Sequence, residues 1–248
     1  MRVFEARTAD ELFIKVAQAL VERLDKGEFD YARGKQTVEL EDTWLTLTNP
    51  EESIVWLPER AISLQYLKGE FEWYKSGSLN VEDIAKHSKF WRHIADPDGK
   101  VNSNYGYLTH RKFHGKSQFD WCVDRIKEDP CTRQALINFN LPEHKYERNR
   151  DFVCALQQIF RQKDGLLHQR VIFRSNDLIR GLTYDMPWFA YTWHKMAQAT
   201  GYAPGVYHHF TPTMHVYTEH FDMLRKIAAA TPVDTDANNQ VFRDMLKS

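Results

Sequence analysis

Cys154 is the candidate nucleophile of this chain, and it lies within the mostly apolar residues 151–156. A thiol attacks carbon as the thiolate, so neighbouring cations or a helix dipole must lower its pKa before it reacts well. A cysteine in an apolar strand more often packs in the core and stays inert. This segment alone therefore leaves both roles open.

A row of four polar side chains follows the apolar residues 171–173, namely Arg174, Ser175, Asn176 and Asp177. Burying such a row is costly unless it faces a cleft. A guanidinium fork beside a hydroxyl suits a phosphate group, because both donate to its oxygens. A polar strand end with a solvated turn is the alternative for this stretch taken alone.

Two pairs of polar residues are further candidates, one pair in a predicted strand and one in a predicted helix. His215 and Tyr217 are two residues apart in a predicted strand, so they share a face and would hold a sugar hydroxyl or contact backbone groups. Glu70 and Glu72 lie in a predicted helix rich in aromatic residues. Among the aromatic side chains the pKa of one carboxyl would rise, which suits proton transfer, whereas Glu72 is expected on the solvated face.

The elements that position these groups are helices and strands interspersed along the chain. Helices are predicted after a capping box at 8–11 and over 59–75, 118–127, 186–200 and 219–229, with a last short helix after a polar tail at 231–239. Strands are predicted as a pair at 37–40 and 44–48, as a hairpin of 152–160 with 166–173, and at 206–217. Turns are predicted at 96–99 and 129–130. Because the strand signals include hairpins, this order predicts a mixed α+β fold rather than a doubly wound sheet. The length suits one catalytic domain of residues 1–248 or two tightly fused halves.

The composition argues against several functional classes. The 248 residues carry a formal net charge of −1, so no basic excess indicates a nucleic-acid polymer as partner. The apolar runs are far shorter than the roughly 20 residues that span a bilayer, and the first residues lack the apolar core of a signal peptide. We therefore expect a cytoplasmic protein with reduced cysteines. The histidines lack the spacing typical of metal sites, so no bound metal is expected.

Seven segments of the chain resemble one family in one order. They are residues 70–75, 102–106, 129–133, 152–154, 174–177, 181–185 and 215–217. Together they resemble the thymidylate synthase superfamily and, within it, the phage deoxycytidylate hydroxymethylases. The resemblance implies a thymidylate synthase-like fold, in which helices flank a mixed, twisted sheet and one face of the sheet forms a homodimer interface.

The resemblance also implies a covalent mechanism. Cys154 would add to C6 of a pyrimidine nucleotide, and C5 would then attack the methylene group of 5,10-methylenetetrahydrofolate. Glu70 and Tyr105 would organise water and proton transfer, including loss of the C5 proton. Asp177 would hold the folate pterin, with Trp91 and Glu70 beside the folate.

Besides Asp185, the residues implied to bind the nucleotide are Arg33, Arg133, Arg174, Ser175, Asn176, His215 and Tyr217. Arg174 and Ser175 would contact the 5′-phosphate, and the last two residues the 3′-hydroxyl. Arg133 would reach the phosphate in the neighbouring subunit, so the site would require a homodimer. The phosphate loop of the family is degenerate here, because Arg33 lies one position from the usual place.

The base preference depends on Asp185, which stands where thymidylate synthases have asparagine. An amide donates to O4 of uracil and accepts from its N3–H, whereas an ionised carboxylate can only accept. The carboxylate would accept from the 4-amino group of cytosine and stabilise a proton on N3. Asp185 therefore indicates a cytosine nucleotide and a role in catalysis. The alternative is that Asp185 only caps a helix beginning near residue 186.

The implied reaction is the conversion of dCMP to 5-hydroxymethyl-dCMP, in which water completes the sequence. Residues 244–248 do not resemble the closing tail of thymidylate synthases, which is expected when hydride transfer is not needed. Three alternatives stay open: a dCMP methyltransferase that produces dihydrofolate, a CMP hydroxymethylase, and a non-catalytic nucleotide-binding homologue. The sequence favours the dCMP hydroxymethylase over the non-catalytic homologue, because binding alone does not need a thiol.

Overall fold

The computed structural model of the chain describes residues 1–32, 34–233 and 239–247. The strands of this part are β1 (Arg2–Ala6), β2 (Asp30–Ala32), β3 (Lys35–Leu47), β4 (Lys112–Phe113), β5 (Lys116–Ser117), β6 (Leu136–Asn138), β7 (Ala155–Lys163), β8 (Leu166–Phe173), β9 (Asn176–Asp177) and β10 (Ala203–Tyr217). Its α-helices are α1 (Ala9–Asp25), α2 (Leu64–Ser76), α3 (Val81–Ala85), α4 (Trp91–Ile94), α5 (Tyr105–His110), α6 (Gln118–Glu128), α7 (Thr183–Thr200), α8 (Phe221–Ala228) and α9 (Asn239–Lys247). Short 3-10 turns cover Pro50–Glu52, Pro142–His144 and Thr218–His220, and a π-helical turn covers Leu178–Leu182.

The chain packs as two compact units, which are residues 1–62 with 162–248, here the sheet unit, and residues 63–161, here the inserted unit. In the sheet unit the strand order is β1-β3-β10-β8, with β2 also beside β3 and β9 also beside β10. Strand β3 is parallel to β1 and antiparallel to β10, and β10 is parallel to both β8 and β9. The sheet is therefore mixed, and the predicted α+β class is confirmed. A single catalytic domain over residues 1–248 stays a prediction.

Helix α1 begins where the sequence predicts it. Thr8 Oγ1 accepts a hydrogen bond from the backbone nitrogen of Glu11 at 3.2 Å, and the Glu11 carboxylate accepts one from Thr8 N at 3.4 Å. This reciprocal capping box satisfies backbone donors that the first turn leaves unpaired. The apolar side chains then recur at helical spacing and are buried, among them Leu12, Val16 and Leu20.

The predicted strand pair at 37–40 and 44–48 is wrong, because both segments belong to the single strand β3. This strand pairs with β10 from Thr37, opposite Tyr217, to Leu47, opposite Tyr207. Asp42 has a φ of 45° and so accommodates a local irregularity in the middle of the strand. The polar residues that resemble a turn in the sequence therefore lie within the hydrogen-bonded pairing of β3 with β10, which continues past them.

Helix α2 begins at Leu64, later than the predicted start at 59, for a local reason. Ala61 has a φ of 46°, which is incompatible with a continuing α-helix. Ser63 then caps the helix, since its Oγ accepts a hydrogen bond from Tyr66 N at 3.1 Å. The remaining predicted helices and strands are present with shifted ends, and the turns at 96–99 and 129–130 close through hydrogen bonds from Gly99 N to Asp96 O at 2.9 Å and from Thr132 N to Asp129 O at 2.9 Å.

The inserted unit packs around a group of aromatic rings. Trp73 lies 4.9 Å from Tyr74 and 5.0 Å from Trp91, and Tyr74 lies 5.4 Å from Tyr105, measured between ring centroids. Tyr105 also meets Phe139 edge-on at 5.5 Å. These contacts join α2, α4 and α5, which carry three of the predicted site residues.

Three further sequence predictions concern the last short helix, the polar tail before it and the lack of a membrane-spanning segment. The last short helix is present as α9, and part of the predicted polar tail, residues 234–238, lies outside the described residues. Within the described ranges, no helix has the length and apolar character needed to cross a membrane.

Gly106→Ala should destabilise the protein by an amount at or above the upper end of the roughly 1–3 kcal/mol typical of overpacked cores. A Cβ at this position would lie 1.9 Å from the backbone oxygen of Tyr74, which cannot move without disturbing α2. Urea unfolding measures the loss. Lys68→Ala, an exposed position on α2, should change the free energy of unfolding by less than about 0.5 kcal/mol. Equal stability of Gly106→Ala and the wild type would contradict the close approach of α2 and α5.

Candidate active site

Cys154 lies in an extended segment immediately before β7, not inside a strand as predicted, because β7 begins at Ala155. Its side chain is half-buried, and the thiol faces Phe152 O at 3.9 Å. Hydrogen bonds on both sides hold the segment, from Asn140 Nδ2 to Val153 O and from Phe139 N to Leu156 O, each at 2.9 Å. The thiol is therefore presented from a fixed backbone with part of its surface accessible.

The other two cysteines differ from Cys154 in accessibility. Cys122 is fully buried on α6, where burial raises the pKa of its thiol to about 12, so this thiol stays protonated and inert. Cys131 is exposed in the turn after α6. Only Cys154 combines partial burial with a backbone tied down on both sides, which is what a positioned nucleophile requires.

Glu70 is the carboxyl on α2 that faces the aromatic side chains, and Glu72 is exposed, as predicted. Glu70 is 4% exposed, and its Oε1 accepts a hydrogen bond from the hydroxyl of Tyr66 at 2.6 Å. That hydroxyl in turn accepts a hydrogen bond from Trp91 Nε1 at 3.0 Å. The chain Trp91–Tyr66–Glu70 thus joins two predicted site residues through a third.

Sequence reasoning assigned no role to Tyr66. The signal that points to it is its spacing of four residues from Glu70, which puts both side chains on one face of α2. A phenol between an indole N–H and a carboxylate accepts from one and donates to the other. Tyr66 therefore fixes the orientation of the Glu70 carboxylate.

Tyr105 opens α5 and is buried against Tyr74 and Phe139. The preceding residue, Asn104, caps the helix and also donates to the backbone oxygens of Trp73 and Ser78, each at 2.9 Å. This arrangement anchors the start of α5 to the end of α2. The ring of Tyr105 is therefore held by both stacking and backbone contacts.

Asp151 connects the loop before Tyr105 with the segment before Cys154, and sequence reasoning gave it no role. It is buried, and its carboxylate accepts hydrogen bonds from Asn102 N at 2.6 Å, Ser103 N at 2.8 Å and Ser103 Oγ at 2.5 Å. Burial raises the pKa of Asp151, and these three donors oppose that rise. Because Asp151 is three residues from Cys154, its hydrogen bonds also restrain the segment that carries Cys154.

In the sheet unit, three of the residues predicted to bind the phosphate and the sugar lie together. Arg174 and Ser175 follow β8 and are half-buried. Ser175 Oγ lies 3.3 Å from His215 Nδ1 on β10, and the His215 ring lies 5.2 Å from that of Tyr217 in an edge-on contact. A hydroxyl, an imidazole and a phenol are thus arranged in a row at the carboxyl end of β10.

Two further basic residues bear on the predicted nucleotide contacts. Arg33 lies outside the described residues, and its neighbour Lys35 places its ammonium 5.8 Å from the ring of Tyr217 and 2.9 Å from Glu219 Oε1. Arg133 is exposed in the inserted unit, after the turn at Asp129. Its predicted reach into a second subunit stays a prediction.

Asp177 caps the π-helical turn at Leu178–Leu182, because its Oδ1 accepts hydrogen bonds from Ile179 N at 2.8 Å and Arg180 N at 2.9 Å. Its other oxygen, Oδ2, is buried and has no hydrogen-bond partner within the described residues. A buried acceptor without a donor is costly unless a ligand or water supplies one. The carboxylate thus has one structural oxygen and one that suits a ligand N–H group.

Asp185 lies in the first turn of α7 and is half-buried. The helix begins at Thr183 and its N-cap position is Leu182, so the alternative that Asp185 caps the helix is wrong. Asn176 Nδ2 donates a hydrogen bond to Asp185 Oδ2 at 3.1 Å. Burial raises the pKa of Asp185 to about 7, the Asn176 hydrogen bond opposes the rise, and the negative charge of Asp177 adds to it.

The described part of the chain contains no group of three or more histidine, cysteine, aspartate or glutamate residues arranged to hold a metal ion. The inserted unit carries the candidate nucleophile, and both units carry acidic and hydrogen-bonding groups. The inserted unit holds the thiol and the Trp91–Tyr66–Glu70 chain. The sheet unit holds the Ser175–His215 pair and the Asn176–Asp185 pair.

Comparison with known proteins gives one consistent answer. The family profile described as Thymidylate synthase matches residues 15–238. The chain is 29% identical over 176 residues to the deoxycytidylate 5-hydroxymethyltransferase of Enterobacteria phage T4, covering 66% of this chain and 71% of that protein. It is 26% identical over 220 residues to the thymidylate synthase of Clostridium beijerinckii, covering 87% of this chain and 80% of that protein. The solved structure of thermostable thymidylate synthase A from Bacillus subtilis matches the fold with a TM-score of 0.69 at 22% identity, covering 90% of this chain and 86% of that one.

Asp185→Asn should become more stable relative to the wild type as the pH rises. The pKa of Asp185 is about 7 in the folded protein and 3.8 in a model peptide, so the folded protein keeps a proton that the unfolded chain has released. Raising the pH between these values therefore costs the wild type stability, and the amide has no proton to lose.

Urea unfolding at pH 4, 6, 7 and 8 measures this difference. The free energy of unfolding of Asp185→Asn minus that of the wild type should increase up to about pH 7 and then level off. Asp222→Asn, an exposed position on α8, controls for the loss of one negative charge. A difference that stays constant from pH 4 to pH 8 would show that the pKa of Asp185 is not raised in the folded protein.

Proposed function

The chain belongs to the thymidylate synthase family, and from this premise we propose that it converts dCMP to 5-hydroxymethyl-dCMP. The family implies a one-carbon transferase with methylenetetrahydrofolate as cosubstrate. The observation that carries the choice within the family is the Asp185 carboxyl, held by Asn176 at 3.1 Å. The likeness to the phage T4 deoxycytidylate 5-hydroxymethyltransferase supports the same choice.

Asp185 is the residue proposed to recognise the hydrogen-bonding edge of the cytosine base. As a carboxylate it accepts a hydrogen bond from the 4-amino group of cytosine and repels O4 of uracil. It also stabilises a proton on N3, which lets the ring accept electron density. We propose these two roles for Asp185, one in base selection and one in catalysis.

Cys154 is the proposed nucleophile. Its thiolate adds to C6 of the cytosine ring, the electron pair of the C5–C6 double bond shifts toward C5 and the ring, and C5 becomes a carbon nucleophile. After C5 has received the one-carbon unit and lost its proton, water supplies the hydroxyl group of the new substituent. Release of the Cys154 thiolate from C6 restores the C5–C6 double bond. The half-buried position of Cys154 and its restrained backbone support this role, because a nucleophile must be both accessible and oriented.

The residues present fit a bound folate. In the inserted unit Trp91 packs against Trp73 with ring planes tilted by 56°, and we propose its indole as the apolar contact of the folate. In the sheet unit Asp177 Oδ2, which has no hydrogen-bond partner within the described residues, suits the N–H groups of a pterin. When bound, the folate supplies the one-carbon unit that the base receives. Glu70, oriented by Tyr66, would hold or move a proton together with Tyr105 and ordered water.

The nucleotide phosphate and sugar would be held by the polar residues of the sheet unit and by a second subunit. We propose Arg174 and Ser175 for the 5′-phosphate and the pair His215 and Tyr217 for the 3′-hydroxyl. Exposed Arg133 would contribute to the phosphate site of a partner copy in a homodimer. A dCMP- and folate-dependent reaction also suits the cytoplasm, or the host cytoplasm if the gene is viral.

Thymidylate synthesis from dUMP is the second candidate function. The Clostridium beijerinckii thymidylate synthase matches a larger share of this chain, 87%, than the phage T4 protein does, 66%. Asp185 argues against it, because a carboxylate does not offer the donor that O4 of uracil requires. A dCMP methyltransferase, a CMP hydroxymethylase and a non-catalytic homologue are separated from the main proposal by identifying the products formed from dCMP, CMP and dUMP.

The wild type should add a hydroxymethyl group to dCMP in the presence of methylenetetrahydrofolate, and Cys154→Ala should lose this activity by about 10³-fold or more. Mass spectrometry identifies the product, and absorbance detects any dihydrofolate. Cys131→Ala, an exposed cysteine, is the matched control and should retain activity. A methyl product with dihydrofolate would overturn the hydroxymethylase proposal, and turnover by Cys154→Ala would overturn the mechanism.

Asp185→Asn should change the base preference toward uracil, because the amide restores a donor for O4. The ratio of kcat/KM for dUMP to that for dCMP should rise by about 10²-fold or more, as expected when a buried polar match is reversed. Steady-state kinetics with both nucleotides at pH 8 measures it. An unchanged ratio would show that Asp185 does not contact the base.

A further inference from the structure

Asn176 occupies a buried position beside Asp185 that phosphate binding does not explain. Its side chain is 3% exposed, and it lies on β9 opposite Met214 of β10. The amide nitrogen donates to Asp185 Oδ2 at 3.1 Å, while the amide oxygen has no hydrogen-bond partner within the described residues. The amide therefore faces the base-reading carboxyl rather than the polar row that suits a phosphate.

Gly181 leaves the space that this pair needs. A Cβ at position 181 would lie 3.0 Å from Asn176 Oδ1 and 3.2 Å from Asp185 Oδ2. Gly181 lies in the π-helical turn between β9 and α7, and such turns insert an extra residue into a helical path. The backbone thus wraps closely around the amide and the carboxyl, which limits the orientations that either can adopt.

Building on the function proposed above, we propose that Asn176 is a positioning residue that holds Asp185 in its ionised, acceptor-only form. When the carboxyl takes up a proton, the site changes from one that prefers cytosine to one that admits uracil. Asn176 thereby sets the pH at which the base preference of the enzyme changes.

The chemistry of the two protonation states supports this proposal. The carboxylate offers acceptors alone, which match the 4-amino group of cytosine and a proton on N3. The neutral carboxylic acid offers one donor and one acceptor, which match O4 and N3–H of uracil. A protonated Asp185 therefore presents to the base the same pattern as an asparagine.

The charged and titratable groups around Asp185 leave Asn176 as the contact that favours the charge. Burial raises the pKa of Asp185 to about 7, and the negative charge of Asp177 acts in the same direction. From β10, the buried Tyr207 faces the carboxyl as a neutral phenol, because burial and the charge of Asp185 raise its pKa well above the usual value. Its hydroxyl lies 3.2 Å from His209 Nδ1, and burial lowers the pKa of His209 to about 3, so this imidazole brings no positive charge.

Nucleotide binding as a function of pH tests the proposal without requiring catalysis. The dissociation constants of dCMP and dUMP are measured by equilibrium dialysis between pH 5.5 and 9 for the wild type and for Asn176→Asp. In the wild type the ratio of the two constants should change with a midpoint near the pKa of Asp185. Asn176→Asp keeps the side-chain shape, removes the donor and adds a like charge, so the midpoint should move upward by about one pH unit or more.

Three more variants complete the test and keep it decisive if Asn176→Asp folds poorly. Asn176→Ala removes the donor without adding charge and should move the midpoint in the same direction by a smaller amount. Asn49→Asp is the matched control, because Asn49 Nδ2 donates to Glu52 Oε1 at 2.9 Å in another amide–carboxylate pair of the sheet unit. It should leave the midpoint at its wild-type value, and Asp185→Asn should abolish the pH dependence of the ratio.

The possible failures are distinguishable. If the wild type forms product and the midpoint does not move in either Asn176 variant, the role of Asn176 is refuted and the proposed function stands. If dCMP and dUMP bind equally at every pH, both the base-reading role of Asp185 and the inference fail. An upward shift in both Asn176 variants, with none in Asn49→Asp, supports the inference, since a merely structural role would not move a pH midpoint.

Discussion

Strand β10 is the constraint on which the sheet unit depends, because it hydrogen-bonds on both of its edges along most of its length. One edge pairs with β3, and the other pairs first with β8 and then with the short β9. The β9 register sets Asn176 opposite Met214 and Asp177 opposite His215. Since side chains alternate between the two faces of a strand, a slip of one residue would exchange the groups on each face. The positions of the proposed sugar, folate and base contacts therefore follow from one ladder.

The polar groups that this ladder brings together oppose folding, and in the proposed function they bind the substrates. Asp177 and Asn176 each keep a buried oxygen without a hydrogen-bond partner in the part of the chain that the structure describes. Leaving a buried acceptor unpaired costs on the order of 1–3 kcal/mol. A core would be more stable with apolar side chains at these positions, so their presence indicates that a ligand or water completes the contacts. The raised pKa of Asp185 has the same origin, because burial disfavours its charge.

Local signals predicted the elements well where one short motif decides the outcome. The capping box at Thr8 fixed the start of α1, and the two-residue turn of Asp164 and Gly165, both with positive φ, lies between β7 and β8 as the hairpin signal indicated. The strand pair near Asp42 failed because the pairing that continues β3 through this residue comes from β10, more than 160 residues away. The role of Asp151 and the contact of Tyr66 with Trp91 were missed for a similar reason, although the spacing of Tyr66 from Glu70 is a local signal. Their importance lies in which groups their hydrogen bonds join, and periodicity carries no information about partners outside the local segment.

A carboxyl that reads cytosine must satisfy two opposed requirements, and the Asn176 contact is a small solution to both. The carboxyl must be withdrawn from water for its hydrogen bonds to discriminate between bases, but withdrawal disfavours the charge that makes it an acceptor. A lysine or arginine in place of Asn176 would hold the charge more firmly. It would also occupy the carboxylate oxygens with an ion pair and weaken them as acceptors for the base. A single amide donor on Oδ2 offsets part of the burial cost and leaves the other lone pairs of the Asp185 carboxylate for the proposed contacts with the base. An amide at position 185 would avoid this conflict, but its fixed donor and acceptor pattern matches the other pyrimidine.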